Sequence, residues 1–260
     1  MFDNEYSPLL GAITGVRETV RDLFDKSSSV SEERTCLAIV DLERFINKGK
    51  SFLGNNIERT LVLQQLAHYM AWARNLAAED PNNENDVTLV RRLQMLSYSQ
   101  FWEALAVQRL LRALVKTACG DEYEPRALLD ENVDSYSVYK EIRQKCLALS
   151  PELEKLLTVL YKNQIRNAFA HSDYYIAAGY ICFMNYDHTK SHMLPSIQVN
   201  TWERLFGLFD EFVGAVFEAR HELLDSLAAK LPFRVDLPEF AGAFLITRDD
   251  HRYWIFTRTT

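Results

Sequence analysis

The sequence predicts a mainly α-helical protein that turns to β-structure late in the chain. Three observations lead there. Apolar residues recur at helical spacing through most of the first 171 positions. Helix start and stop signals, such as Ser150-Pro151 and Gly120, fall at the ends of those runs. After residue 173 the pattern changes. "YYIAAGYICFMNY" (174–186) and "SHMLPSIQVN" (191–200) are rich in aromatic and β-branched residues, which suit strands.

Taken in order, a first segment at about 7–25 ends at "KSSSV". Ser31 caps a helix at about 32–47, where Leu37, Val40 and Ile46 stay near helical spacing. Gly49 and Gly54 punctuate a loop, and Asn55 or Asn56 opens a helix reaching about Ala78. "AEDPNNEND" is the clearest linker, because Pro81 and its Asn/Asp neighbours continue a helix poorly. Asp86 caps a helical stretch at about 87–118, with "SYS" (97–99) as a bend and Gly120 as its stop. A loop leads to a helix at about 135–148, and Ser150-Pro151 opens another that runs to about 171. A β-hairpin turning at "DHTK" follows, with Pro195 at an edge or bulge. Thr201 caps a helix at about 202–229, whose core side is Leu205, Leu208, Phe209, Phe212, Val216 and Phe217. Pro232 and Pro238 break the chain, and a second hairpin turns near Asp249-Asp250. This divides the protein into an N-terminal helical accessory region (1–80), a helical bundle (87–229) and a C-terminal β-hairpin tail (230–260).

Composition narrows the function. A net charge of -7 excludes a protein that binds nucleic acid by bulk positive charge, so an RNA contact needs a local patch. The opening "MFDNEYSPLL" is acidic and polar, unlike a signal peptide, and no apolar run reaches the roughly 18–20 residues of a membrane span. A cytoplasmic protein with no membrane contact is expected. Cys36, Cys119, Cys146 and Cys182 are far apart and form no CxxC pair, which predicts four buried, reduced thiols and no zinc site.

The informative stretch is "QIRNAFAHSDYYI" (164–176). On a continuous helix from Pro151, with Leu153 at zero, Leu156, Leu157 and Leu160 fall within about 60° of Leu153, one buried stripe. Gln164, Asn167 and His171 continue that stripe, so the core face becomes polar without changing direction. Unpaired polar groups there would cost a few kcal/mol each, so they are expected to be paired, hydrated or lining a cleft. Arg166 and His171 diverge by about 140° on a straight helix. They converge only if the helix unwinds near Ala170 or if a second subunit supplies the opposing pair. A plainer reading is available for each: a cation suiting the helix dipole, a solvated arginine, a capping asparagine.

Arg166, Asn167 and His171 resemble the signature of the HEPN superfamily: arginine, a polar residue, three more residues, then histidine. The position, late in a long helix of a helical bundle, resembles it too. The resemblance covers about 87–229 and implies a HEPN-like bundle with a β-hairpin insertion after the motif helix; the terminal hairpin lies outside it. It implies a metal-independent endoribonuclease with no cofactor, active as a homodimer whose motifs face each other. His171 would then supply acid-base chemistry at the RNA 2'-hydroxyl or the leaving oxygen. Arg166 would bind the scissile phosphate, and Asn167 would orient His171 or the phosphate. Gln164, Asp173 and Tyr174 are the candidate substrate contacts. A toxin or phage-defence role, with an antitoxin or regulatory protein as partner, follows from the same resemblance. Members modified by a nucleotidyltransferase antitoxin carry tyrosine two residues after the histidine; here Asp173 stands there, and Tyr174 comes one later. Other members serve as non-catalytic dimerisation, nucleotide-sensing or protein-interaction modules, which is the alternative for this chain.

No other catalytic motif competes: the chain lacks GxxxxGK[ST], HExxH and GxSxG. His188 and His192 in "HTKSH" read as exposed turn residues, not a metal pair. Arg91, Arg92, Arg112 and Lys116 read as a solvated helix face. Tyr174 and Tyr175 either stack on bases or pack beneath the hairpin.

Overall fold

A computed structural model describes residues 8–48, 71, 72, 75, 78, 84–122, 135–236, 243–248 and 254–259. Eight helices run through them: α1 (Val16–Val30), α2 (Glu32–Lys48), α3 (Glu84–Glu103), α4 (Leu105–Ala118), α5 (Ser135–Leu149), α6 (Pro151–Leu160), α7 (Asn163–His171) and α8 (Val199–Ala229). The strands are β1 (Tyr174–Ala177), β2 (Tyr180–Phe183), β3 (Ser196–Gln198), β4 (Phe233–Val235), β5 (Ala243–Arg248) and β6 (Trp254–Thr259). The protein is therefore mainly α, with two small antiparallel sheets ordered β1-β2-β3 and β4-β5-β6. Among the described residues no helix is long and apolar enough to cross a membrane. Most of the helix expected at about 55–78 and most of the linker after it lie outside the described residues.

Two compact units are present, each built from three segments. One comprises Met1–Thr14, Glu58–Ala104 and Leu156–Asp210; the other comprises Gly15–Ile57, Leu105–Lys155 and Glu211–Thr260. In the second unit α1, α2, α4 and α5 pack in neighbouring pairs. Ser31 opens α2 as the sequence predicts, its Oγ accepting the Arg34 amide at 3.2 Å. Gly120, at φ +79°, ends α4 in the left-handed conformation that glycine tolerates. The Asp121 amide then reaches back to the Lys116 carbonyl at 3.0 Å, a Schellman closure. Arg17 and Arg21 on α1 pair with Glu218 and Glu222 on α8, exposed contacts worth little individually.

The first unit holds the motif. Its core is aromatic: Tyr98, Phe101 and Trp102 from α3 meet Phe169 from α7 and Trp202, Phe206 and Phe209 from α8. Tyr98 and Trp202 lie edge to face at 5.5 Å, the arrangement that ring quadrupoles favour. The expected bend at 97–99 is absent; α3 continues to Glu103 and the break falls at Ala104.

The region after the motif is strand as expected, but the turn moves. β1 and β2 already form a hairpin within 174–183, closed by Ala178 and Gly179 at φ +49° and +79°. Two positive φ values in a two-residue loop match the right-handed twist of the flanking strands. "DHTK" instead lies in the longer connection from β2 to β3. α8 begins at Val199, earlier than Thr201, and the Val199 amide is tied to the Gly179 carbonyl at 2.9 Å. Phe217 is exposed, not in the core, and Phe206 is buried in its stead. The thiols also divide: Cys36 and Cys146 are buried, Cys182 is half-buried and Cys119 is exposed. The closing hairpin is present as β5 and β6, with β4 added on its other edge.

Candidate functional site

The helix expected from Pro151 to His171 is two helices. Ser150 starts α6 as predicted, its Oγ accepting the Leu153 amide at 3.3 Å. Leu153, Leu156, Leu157 and Leu160 are all buried. The helix then breaks at Tyr161 and Lys162, where Lys162 is extended at φ -119° and ψ 106°. The Tyr98 hydroxyl sits in the break. It donates to the Leu160 carbonyl at 2.7 Å and accepts the Lys162 amide at 3.1 Å. One side-chain atom thus replaces two lost helical bonds in the core, where an orphaned backbone group is costly. Burial pushes the Tyr98 pKa well above the usual tyrosine range, and the donated Lys162 amide offsets this only in part.

That break resets the helical phase. Within α7 the buried face is Ile165, Ala168 and Phe169, at i, i+3 and i+4. Measured from Ile165, Asn167 points about 160° away and His171 about 120° away. The polar continuation of the leucine stripe therefore does not form.

The motif side chains have different surroundings. The Arg166 guanidinium turns into the fold, donating to Asn163 Oδ1 at 2.6 Å and to Glu103 Oε1 at 3.3 Å. Arg166 and Glu103 are only 12% and 14% exposed, so solvent screens this pair weakly. Arg166 Nε is buried and has no hydrogen-bond partner. The Tyr161 hydroxyl donates to the same Asn163 oxygen at 3.4 Å. Asn167 is half-buried and His171 is exposed at the last position of α7. The helix stops there because Ser172 adopts φ +58°, and the Asp173 amide closes on the Ala168 carbonyl at 2.8 Å. A protonated His171 at this end suits the helix dipole. Arg166 and His171 remain about 140° apart around α7, so a single copy does not bring them together on one face.

Gln164 is used inside the fold. Its Nε2 donates to the Leu194 carbonyl and its Oε1 accepts the Leu194 amide, both at 2.7 Å. The Gln164 carbonyl in turn accepts Asn185 Nδ2 at 3.1 Å. The β2–β3 connection is thereby pinned to α7 at both ends. Asp173 opens the hairpin, its carbonyl accepting the Met184 amide at 2.8 Å. The half-buried Tyr174 packs edge-on against Phe169 at 5.2 Å; burial raises its pKa and the charge of Arg92 works against that. Tyr175 is the exposed member of the pair.

Sequence reasoning missed Tyr98, Glu103 and Asn163. Asn163 lies one turn before Arg166 and was findable at i, i+3. Tyr98 and Glu103 are more than 60 positions from their partners and carry no local signal. His188 and His192 are exposed in the β2–β3 connection, as expected. Among the described residues no group of three or more His, Cys, Asp or Glu side chains is placed to hold a metal ion.

Comparison of the chain with protein-family models, with curated proteins and with solved structures finds no match.

Proposed function

We propose that this chain is a metal-independent endoribonuclease of HEPN type, with a HEPN-like bundle over 87–229 and a composite site formed by two copies. The observation that carries the reading is His171: an imidazole exposed at the last position of a helix that is anchored by its other face. The Arg166-Asn167-x3-His171 spacing supports it. In the proposed reaction His171 takes the proton of the 2'-hydroxyl. That oxygen attacks the adjacent phosphorus, the bond to the 5'-oxygen breaks, and the leaving oxygen is protonated by His171 of the second copy. The product is a 2',3'-cyclic phosphate. Arg166 stabilises charge on the phosphate, which requires its guanidinium to exchange Glu103 for a phosphate oxygen. A toxin or phage-defence role with an antitoxin or regulatory partner, in the cytoplasm, fits such an activity.

A second reading rests on a specific contact. Arg166 already donates to Asn163 and Glu103 within its own copy, as in a non-catalytic module that keeps the motif for folding. Incubation of the full chain with a mixed RNA pool in excess chelator separates the two. The ribonuclease reading expects cleavage to cyclic phosphate ends and a homodimer in sedimentation. Absence of cleavage, or cleavage that returns only with magnesium or manganese, sinks it.

A further inference from the structure

Arg166 sits at the margin of the buried face of α7. Measured from Ile165, it lies about 100° around the helix, and the buried Phe169 lies at about 40° on the same side. From such a flank a change of side-chain rotamer turns the guanidinium inward or outward. In the structure it turns inward. Its Nη1 donates to Glu103 Oε1 on α3 at 3.3 Å, and its Nη2 donates to Asn163 Oδ1 at 2.6 Å. Its Nε is buried without a hydrogen-bond partner. Glu103 is the last residue of α3, just before the break at Ala104.

We infer that Glu103 is a latch on the motif arginine: it holds the guanidinium inside each copy until an RNA phosphate takes the carboxylate's place. The inference rests on the ribonuclease reading and names how that site is regulated. The inward contact is of a kind that a phosphate can outdo. The Glu103 bond is single and, at 3.3 Å, longer than the roughly 2.7–2.9 Å of a good charge-assisted bond. The two terminal nitrogens go to two different residues, so the planar fork that suits arginine to oxyanions is not used as a fork. A phosphate offers that fork two parallel bonds from one group. The Nε that is unbonded inside can be one of the two donors.

Release still has a cost, and that cost makes the contact a latch. Arginine stays charged, so it cannot leave Glu103 by losing its proton; it has to move. Glu103 is only 14% exposed, and drawing the cation away from it forfeits an attraction that solvent replaces poorly. A passing anion held by one contact does not offset this. A phosphate held in place by the rest of a bound strand does, so the charge stays hidden until substrate arrives. The plainer alternative is a pair that only stabilises the fold. Buried ion pairs add stability when every donor around them is bonded. A buried Nε with no acceptor departs from that condition, and it departs at the arginine of the motif.

The test compares the full chain with its Glu103→Gln variant, which keeps the shape of the side chain and removes its charge. Phenylglyoxal, which reacts with accessible arginine side chains, is followed at Arg166 by peptide mass. Labelling is expected to run at least about 5-fold faster in the variant, with the near-ultraviolet signal of the aromatic core unchanged. Binding of a fluorescein-labelled, mixed-sequence dodecamer of 2'-O-methyl RNA, which lacks the attacking hydroxyl, is expected to tighten about 5-fold by anisotropy. Adding Arg166→Ala to Glu103→Gln should abolish that gain. Unchanged labelling overturns the latch, and so does faster labelling that comes with loss of the aromatic signal, which makes Glu103 a support of the fold alone. Binding that is unchanged or weaker in the variant overturns it too, as does a chain that binds no dodecamer in either form. If Glu103→Gln does not fold, Glu103→Asp, which draws the carboxylate back by one methylene, carries the same comparison with about a 2-fold gain expected. Cleavage of ordinary RNA is scored separately: tighter binding with no cleavage by either form keeps the latch and removes the ribonuclease reading.

Discussion

The two ends of α7 make opposite use of polar residues. At its start, Asn163, Gln164 and Arg166 are spent on the fold: one accepts the guanidinium, one clasps Leu194, one pairs with Glu103. At its end, His171 is exposed. The pattern Arg-Asn-x3-His looks like a single unit in the sequence, yet its arginine is structural in one copy and its histidine is not. A change at Arg166 should therefore be read in stability as well as in cleavage, and a change at His171 in cleavage alone.

Five substitutions, one of them added to another, would break or sharpen that contrast. The largest effect is expected from His171→Ala: at least about a 100-fold loss of RNA cleavage, with stability changed by no more than about 0.5 kcal/mol. Equal cleavage by this variant would remove the histidine from the chemistry. Arg166→Ala should lower cleavage too, since the guanidinium is the proposed phosphate contact, but it differs in also lowering stability. It takes the guanidinium away from a nearly buried Glu103 and should cost about 2–4 kcal/mol in denaturant unfolding. Adding Glu103→Gln should restore part of that loss; strict additivity of the two would show that the pair contributes nothing. Tyr98→Phe keeps the ring but removes the hydroxyl that bonds both the Leu160 carbonyl and the Lys162 amide, for a cost of about 1–3 kcal/mol. An unchanged melting curve would mean that the break between α6 and α7 has another support. The smallest effect concerns Ser172, held at φ +58°. Ser172→Gly relieves that conformation and should gain about 0.5–1 kcal/mol with cleavage unaltered. A loss of stability would show that the serine side chain matters at the stop.

These contrasts also explain what was legible beforehand. Ser31, Ser150-Pro151 and Gly120 announce helix ends through chemistry confined to a few neighbouring residues, and each was read correctly. The breaks at Ala104 and at Tyr161-Lys162 contain no glycine or proline. The second is held by a hydroxyl from α3, 62 residues before the carbonyl it bonds. A wheel drawn through it carries the leucine stripe onto the wrong side chains, so Gln164 and His171 were expected on a face that α7 does not have. The hairpin turn was misplaced for a related reason. "DHTK" is the stronger turn signal, but Ala178 takes a left-handed conformation that alanine seldom adopts, and β3 then pairs with β2 from farther along the chain. Of the candidate site, residue identity and spacing could be read from the sequence; which side chains face inward could not, because that depends on Tyr98 and Glu103.

The Gln164 clasp has a consequence for how such a protein can diversify. It grips Leu194 through main-chain atoms alone, and its own carbonyl takes an amide from Asn185. Neither bond asks anything of residues 186–193. Substitutions, insertions or deletions in that stretch can therefore leave the attachment of α7 to the connection intact.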